Sequence, residues 1–220
     1  MGSNFSISEV LVHLFVIIMS VSIHEFGHAW TAWKLGDDTA AREGRLTINP
    51  LPLMQAYPMS MVVLPLLGAF AGFTFAYAAT PVNLSRVNRR WTLNQANFLI
   101  TAAGPVANFI MACLGVGVLA ILHHAGLRDD PNWGAPLMIL ANSMVYLNLL
   151  LFFFNLLPVP PLDGFSVLFS LLPPRFDGLR RQMEQMGFML FIIVFMVGGR
   201  LISAPLRATY VALLQLAGLL

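Results

Sequence analysis

A histidine, a glutamate and a second histidine stand close together in His24-Glu25-Phe26-Gly27-His28. Residues four apart on a helix share a face, one turn above the other, so both imidazoles can reach one metal ion. Zinc suits such nitrogen donors, and Glu25 beside them is placed to take a proton from a water activated there. The motif lies in an apolar run from Val10 to Trp33, where an acidic side chain at mid-depth costs roughly 3 kcal/mol. Trp30, Trp33 and Lys34 follow as an interfacial belt would. Lys34 is about 15 Å beyond His24 along a helix, so the chemistry would sit inside the hydrocarbon, nearer one face. The plainer alternative is two histidines and a glutamate satisfying one another in a bundle. The cost of keeping them there argues against it.

A catalytic zinc takes three protein ligands and leaves a fourth position open. Of the ten acidic residues, only Glu25 and Asp163 are embedded in apolar sequence, the others falling in or beside polar loops. Asp163 follows Asn155-Leu156-Leu157-Pro158-Val159-Pro160-Pro161-Leu162. The prolines exclude a regular helix there, so the chain must unwind at membrane depth, where its freed carbonyls need a cavity or protein partners. A carboxylate in such a segment is expensive unless it binds a cation, and zinc is that cation. A proline kink with a solvated aspartate is the alternative reading. His13 shares nearly the same helix face as His24 but lies about 16 Å away, which suits an interior polar contact better than a ligand.

The chain that must position these groups is 220 residues long, 58% hydrophobic and only 10% charged, with a mean hydropathy of +0.76. Soluble domains average about 25% charged residues. This composition implies an integral, multi-pass membrane protein with the lipid bilayer as its surroundings. A net charge of +2 and the lack of a basic, aromatic-laced run exclude nucleic acid as a partner. A single cysteine, Cys113, rules out an internal disulfide and a C-x-x-C site.

Apolar stretches run from about Val10 to Trp33, Met59 to Ala79, Phe98 to Leu122, Pro136 to Leu157 and Phe188 to Val197, with a short sixth from Ala208 to Leu220. A span needs about 20 apolar residues. The expected fold is therefore an all-α polytopic membrane protein with about four to six transmembrane helices. The fifth stretch reaches spanning length only by crossing Arg200, and the sixth is expected on the surface or as a half-length helix. The second stretch carries Pro65, Gly68 and Gly72 and ends in a strand-like alternation, Phe73 to Tyr77. If residues near 56–82 dip in and return, nine basic residues (Lys34 to Arg90 and Arg175 to Arg181) gather on one face, with Arg128 and Arg200 opposite. That bias marks a cytoplasmic face, so a re-entrant segment with the N-terminus outside is expected.

His24-Glu25-Phe-Gly-His28, Ala103-Gly104-Pro105-Val-Ala-Asn108 and Asn155-x-x-Pro158-x-x-x-x-Asp163-Gly164 together resemble the site-2 protease family of intramembrane zinc metalloproteases. The chain is most similar to its small members without PDZ or CBS domains, as Gly36-Asp-Asp-Thr39-Ala40 and Gly44-Arg-Leu-Thr-Ile-Asn49-Pro50 also indicate. The resemblance covers most of residues 20–172. It implies one membrane-embedded protease domain over residues 1–220, with a core of 8–172 and C-terminal helices over 183–220, in the cell membrane. It further implies one Zn2+ per chain held by His24, His28 and Asp163, Glu25 as general base, Asn155 as a donor to the oxyanion or substrate backbone, and a membrane-protein substrate. Asn108 is a further candidate beside the site, with helix packing as its alternative. Phe75 and Ala76 are candidates for a strand edge that pairs with an unwound substrate. A metal or proton transporter and an inactive zinc-binding scaffold are the rival readings. The chain departs from its subgroup after Asn49-Pro50, where a histidine and an aspartate are missing. It departs again at Tyr77-Ala78-Ala79-Thr80-Pro81-Val82, where the subgroup's lysine is lost. No feature sets an oligomeric state.

Overall fold

The structure, a computed structural model, describes residues 7–71 and 76–220. It is all-helical among those residues, and four helices are long and apolar enough to cross a membrane. These are α1 (Ile7–Leu35), α5 (Leu93–His124), α6 (Gly134–Asn155) and α9 (Gly187–Leu216). Between α1 and α5 lie the short helices α2 (Thr39–Arg42), α3 (Leu51–Ala56) and α4 (Leu64–Ala71), with a π-turn over Met59–Val63. After α6 come α7 (Asp163–Leu171) and α8 (Asp177–Gln185).

Local sequence explains where these helices begin and end. Glu9 in the first turn of α1 and Lys34 in its last suit the helix dipole. Thr92 and Gln95 form a reciprocal capping box that starts α5. Pro158, Pro160 and Pro161 stop α6 at Asn155, and the chain restarts as α7 at Asp163. The expected unwinding is present.

The segment between α1 and α5 returns to the end from which it leaves. The main-chain N–H of Asn88 donates to Leu35 O at 2.8 Å, and Asp37 Oδ2 accepts from the N–H of Asn83 at 2.6 Å. Outside this clasp Asp38 pairs with Arg42 and Arg86. The Arg42 hydrogen bond, then the Arg86 charge, holds the Asp38 carboxyl below the usual carboxylate range. Deeper down, Met61 and Leu53 pack with Val16, Ile17 and Val21 of α1. The limb thus penetrates to the middle of α1 and comes back, as a re-entrant segment does.

One expectation needs correction. The fifth and sixth apolar stretches are one continuous helix, α9, which runs through Arg200 and Pro205. Asp37, in the loop after α1 as its sequence context suggests, is fully buried, its carboxylate satisfied by the Thr39 and Asn83 N–H groups. The strand-like alternation falls largely on Phe73, Thr74 and Phe75, outside the described residues. Ala76 and Tyr77 belong to no helix or strand.

The largest apolar core joins α5, α6 and α9, with Ala112, Val116, Leu119, Ala141, Val145 and Leu206 at its centre. It fixes the three helices on which the unwound turn and α7 are hung.

Candidate metal centre

His24 and His28 project from the same face of α1 toward α5, and α5 receives them where it has no side chain. A Cβ at Gly104 would overlap the rings of both histidines. Gly27, between them, lies so close to α5 that a Cβ would stand 2.7 Å from Ala103 O. The Ala103-Gly104-Pro105 stretch is thus the socket for the histidine pair. Pro105, buried beside it, removes one helical hydrogen bond from α5 at that level.

Each ring is fixed by its Nδ1. His24 Nδ1 is 2.7 Å from Asn108 Oδ1, and His28 Nδ1 is 2.7 Å from Ile100 O. Both partners are acceptors, so both Nδ1 atoms carry the proton and both Nε2 lone pairs point into the site. The Asn108 amide is oriented by its own network. Its Nδ2 donates to Asn148 Oδ1 at 2.9 Å and to Ser20 O at 3.2 Å, while Asn148 Nδ2 donates to Ser20 Oγ at 2.9 Å. Asn108, Asn148 and Ser20 are all fully buried.

Asp163 completes the cluster from the N-terminus of α7. Its Oδ2 lies 3.0 Å from His24 Nε2 and 3.4 Å from His28 Nε2, and the two Nε2 atoms are 3.0 Å apart. That oxygen is buried without a hydrogen-bond partner among the described residues. Three donors on the corners of a tetrahedron around zinc, each at about 2.0 Å, stand about 3.3 Å from one another. The observed triangle is of that size, and two neutral imidazoles with one carboxylate are a zinc-type donor set. The residues fit the ion.

Glu25, buried, faces a cleft of about 250 Å³ that the three donors also line. Thr80 Oγ1 sits 2.7 Å from Glu25 Oε2 and 3.1 Å from its main-chain O. Asn155 lines the same cleft, with one amide N–H donating to Leu151 O at 3.1 Å and the other making no hydrogen bond among the described residues. Ala76, Tyr77 and Thr80 form the opposite wall.

Asn108 stands on α5 behind His24, as a residue beside the site would; it is bonded to that ring and is not among the residues that line the cleft. Phase of the helix explains this: Asn108 is one turn beyond Gly104, on the same face of α5. Phe75 lies outside the described residues. His13 makes interior contacts, with Nδ1 2.7 Å from Glu9 O and Nε2 3.4 Å from Ser143 Oγ.

Thr80, Ser20 and Asn148 were not singled out from sequence. The signal for Thr80 was present, because that position is where the subgroup's lysine is lost. Ser20 and Asn148 carried none, since polar residues inside apolar helices gain meaning only once the helices are paired.

Residues 129–198 match Peptidase family M50. The chain is 36% identical over 181 residues to YwhC of Bacillus subtilis, named as a candidate zinc metalloprotease, covering 81% of this chain and 77% of that protein. Rip2 of Mycolicibacterium smegmatis, named in the same way, is 30% identical over 195 residues, 86% of this chain and 69% of Rip2. Rip2 of Mycobacterium tuberculosis is 32% identical over 181 residues, covering 81% of this chain and 64% of its own length. No solved structure matches the chain significantly.

Proposed function

The chain belongs to peptidase family M50, the site-2 proteases, and from that premise we propose that it cleaves peptide bonds of membrane-embedded proteins within the cell membrane, using His24, His28 and Asp163 to hold zinc and Glu25 as base. Its class is that of a multi-pass, zinc-dependent metalloprotease. The observation that carries the finer reading is the triangle of two imidazole nitrogens and one unpartnered carboxylate oxygen beside a buried glutamate. Residues 1–220 act as one protease unit, because α1 and α7, which bear the three donors, both pack on α5.

Zinc supplies a water of lowered pKa and polarises the carbonyl to be attacked. Every other task falls to the chain. Glu25 takes the proton of the attacking water on a carboxylate oxygen and returns it to the leaving amine. The Thr80 hydroxyl holds Oε2, which turns the carboxylate toward the cleft. The free amide N–H of Asn155 is available to the developing oxyanion or to the substrate backbone. The Nδ1 bonds to Asn108 and Ile100 fix the orientation of both imidazoles and aim their Nε2 atoms into the site.

A substrate helix must unwind before its backbone can enter. The returning limb offers an edge for it. Tyr77 bonds away from the cleft through its N–H to Ser60 O, and Ala79 O accepts from Arg45 and Tyr57. The Ala78 N–H and C=O have no partner among the described residues. Ala76 and Ala78 therefore supply the pairing groups for an extended segment.

Zinc per chain in purified wild type beside Asp163→Ala tests the ligand set. About one zinc in the wild type and a sharp loss in the variant are expected. Stoichiometric zinc in both would remove Asp163 from the site. Glu25→Gln then separates a protease from a transporter or scaffold, because proteolysis of a model transmembrane substrate should vanish while zinc stays bound.

A further inference from the structure

Arg200 and Arg207 of α9 stand exposed on the outside of the bundle, and among the described residues neither guanidinium makes a hydrogen bond or an ion pair. Their depth is set by two contacts that fix α9 antiparallel to α6. Tyr210 Oη donates to Asn142 Oδ1 at 2.9 Å, and Gly198 packs on Phe154 and Leu157. Both arginines lie between these points. Arg200 is about 20 Å along the helix from Gly187, and Arg207 about 14 Å from Leu216. Each therefore sits inside the apolar slab rather than at its edge. Cα–Cβ bonds tilt toward a helix N-terminus, so the stem of Arg207 leads away from its nearer face and into the slab.

Charges at this depth face a protein partner or a wet cavity as a rule. Among the described residues neither is present. Ser203 lies between the two arginines on the same face, also exposed. Of the four spans, α9 is the least covered, with 17% of its apolar window buried against 33–39% for the others. From these observations we propose that the Arg200–Ser203–Arg207 face of α9 docks a transmembrane helix of another protein that carries two acidic side chains about seven residues apart.

A second copy of this chain cannot fill the role. Its acids at membrane depth are Glu25 and Asp163, enclosed in the site, and Glu9 lies in the first turn of α1. The partner helix would lie across α9 from the turn that leads to Asp163, because Gly187 and Gly198, which face Pro160 and Leu157, are on the side of α9 opposite the arginines.

The test needs no peptidase activity. The full chain is reconstituted in phosphatidylcholine vesicles with a synthetic leucine–alanine transmembrane peptide bearing two glutamates seven residues apart. Association is read by fluorescence energy transfer. The glutamate peptide should bind about tenfold or more tightly than its glutamine twin, and Arg200→Leu/Arg207→Leu should erase the difference. The reversed variant, Arg200→Glu/Arg207→Glu, should instead prefer a lysine peptide, which guards against simple disruption of α9. Equal binding of both peptides by the wild type, or a preference that survives in the leucine variant, overturns the proposal. So does a preference erased by a modest fraction of phosphatidylglycerol, since the arginines then serve lipid headgroups. Stronger transfer between two copies of the chain than to the peptide overturns it as well.

Discussion

Glu25 and Thr80 come from segments 55 residues apart, yet one hydrogen bond joins them. A hydroxyl bond to a charged group is worth about 1.5–3 kcal/mol, so Thr80→Val should lower kcat by roughly ten- to a hundredfold with KM and zinc content little changed. Thr80→Ser, which keeps the hydroxyl, should restore most of the rate. A valine variant of full activity would remove Thr80 from the machinery. Asn108 acts on the metal side instead. Asn108→Leu, close in shape but unable to accept from His24 Nδ1, should weaken zinc binding by about 10- to 100-fold in a chelator competition. The histidine pair, its glutamate and Asp163 were legible in the sequence because charge and imidazole stand out against an apolar background. Thr80, Ser20 and Asn148 were not, because a hydroxyl or amide in an apolar helix is common and becomes a partner only through tertiary contact.

Helices rather than residues decide how closely the donors converge. An alanine at position 104 would improve the intrinsic helix propensity of α5 by about 1 kcal/mol. Packing forbids it, since the new methyl would overlap the rings of His24 and His28. Gly104→Ala should therefore retain helix content by circular dichroism while losing zinc. Proline at Ala76 tests the returning limb, and should cripple cleavage with zinc retained if that limb pairs with substrate. Prolines made the break between α6 and α7 legible, because their chemistry is local. The continuity of α9 was hidden for the opposite reason. Arg200 and Pro205 both argue locally for an end, and only packing of Gly198 and Leu206 against the α5–α6 core carries the helix through.

Across the whole molecule, the returning segment places one end of the bundle under nearly all of the positive charge. Lys34, Arg42, Arg45, Arg86, Arg89 and Arg90 lie at the clasped end of α1. The end of α7 joins them through the Asn97–Ser170 bond of 2.7 Å, which brings Arg175, Arg180 and Arg181 to the same side. Arg128 follows the far end of α5. In a Cys113→Ser background, a cysteine at position 89 should react with a membrane-impermeant reagent only from the cytoplasmic side, and one at 128 only from the other. The reverse pattern would invert the orientation. The overall class was legible from composition alone, whereas the path of residues 36–92 required the Asn88–Leu35 and Asp37–Asn83 contacts that close it.

The socket of α1 against α5 also sets an order of events during biosynthesis. Synthesis runs from the N-terminus, so His24 and His28 emerge first and their anchors Ile100 and Asn108 next, and the two helices can meet as a hairpin. Asp163 emerges only after α6 and the unwound turn. With Asp163 as the proposed third ligand, two nitrogens make an incomplete zinc site, and a nascent chain should not retain the ion firmly until that residue has left the ribosome. Metal loading then becomes a late checkpoint: a chain stalled before residue 163 stays inert, and retained zinc reports that α1, α5 and α7 have come together.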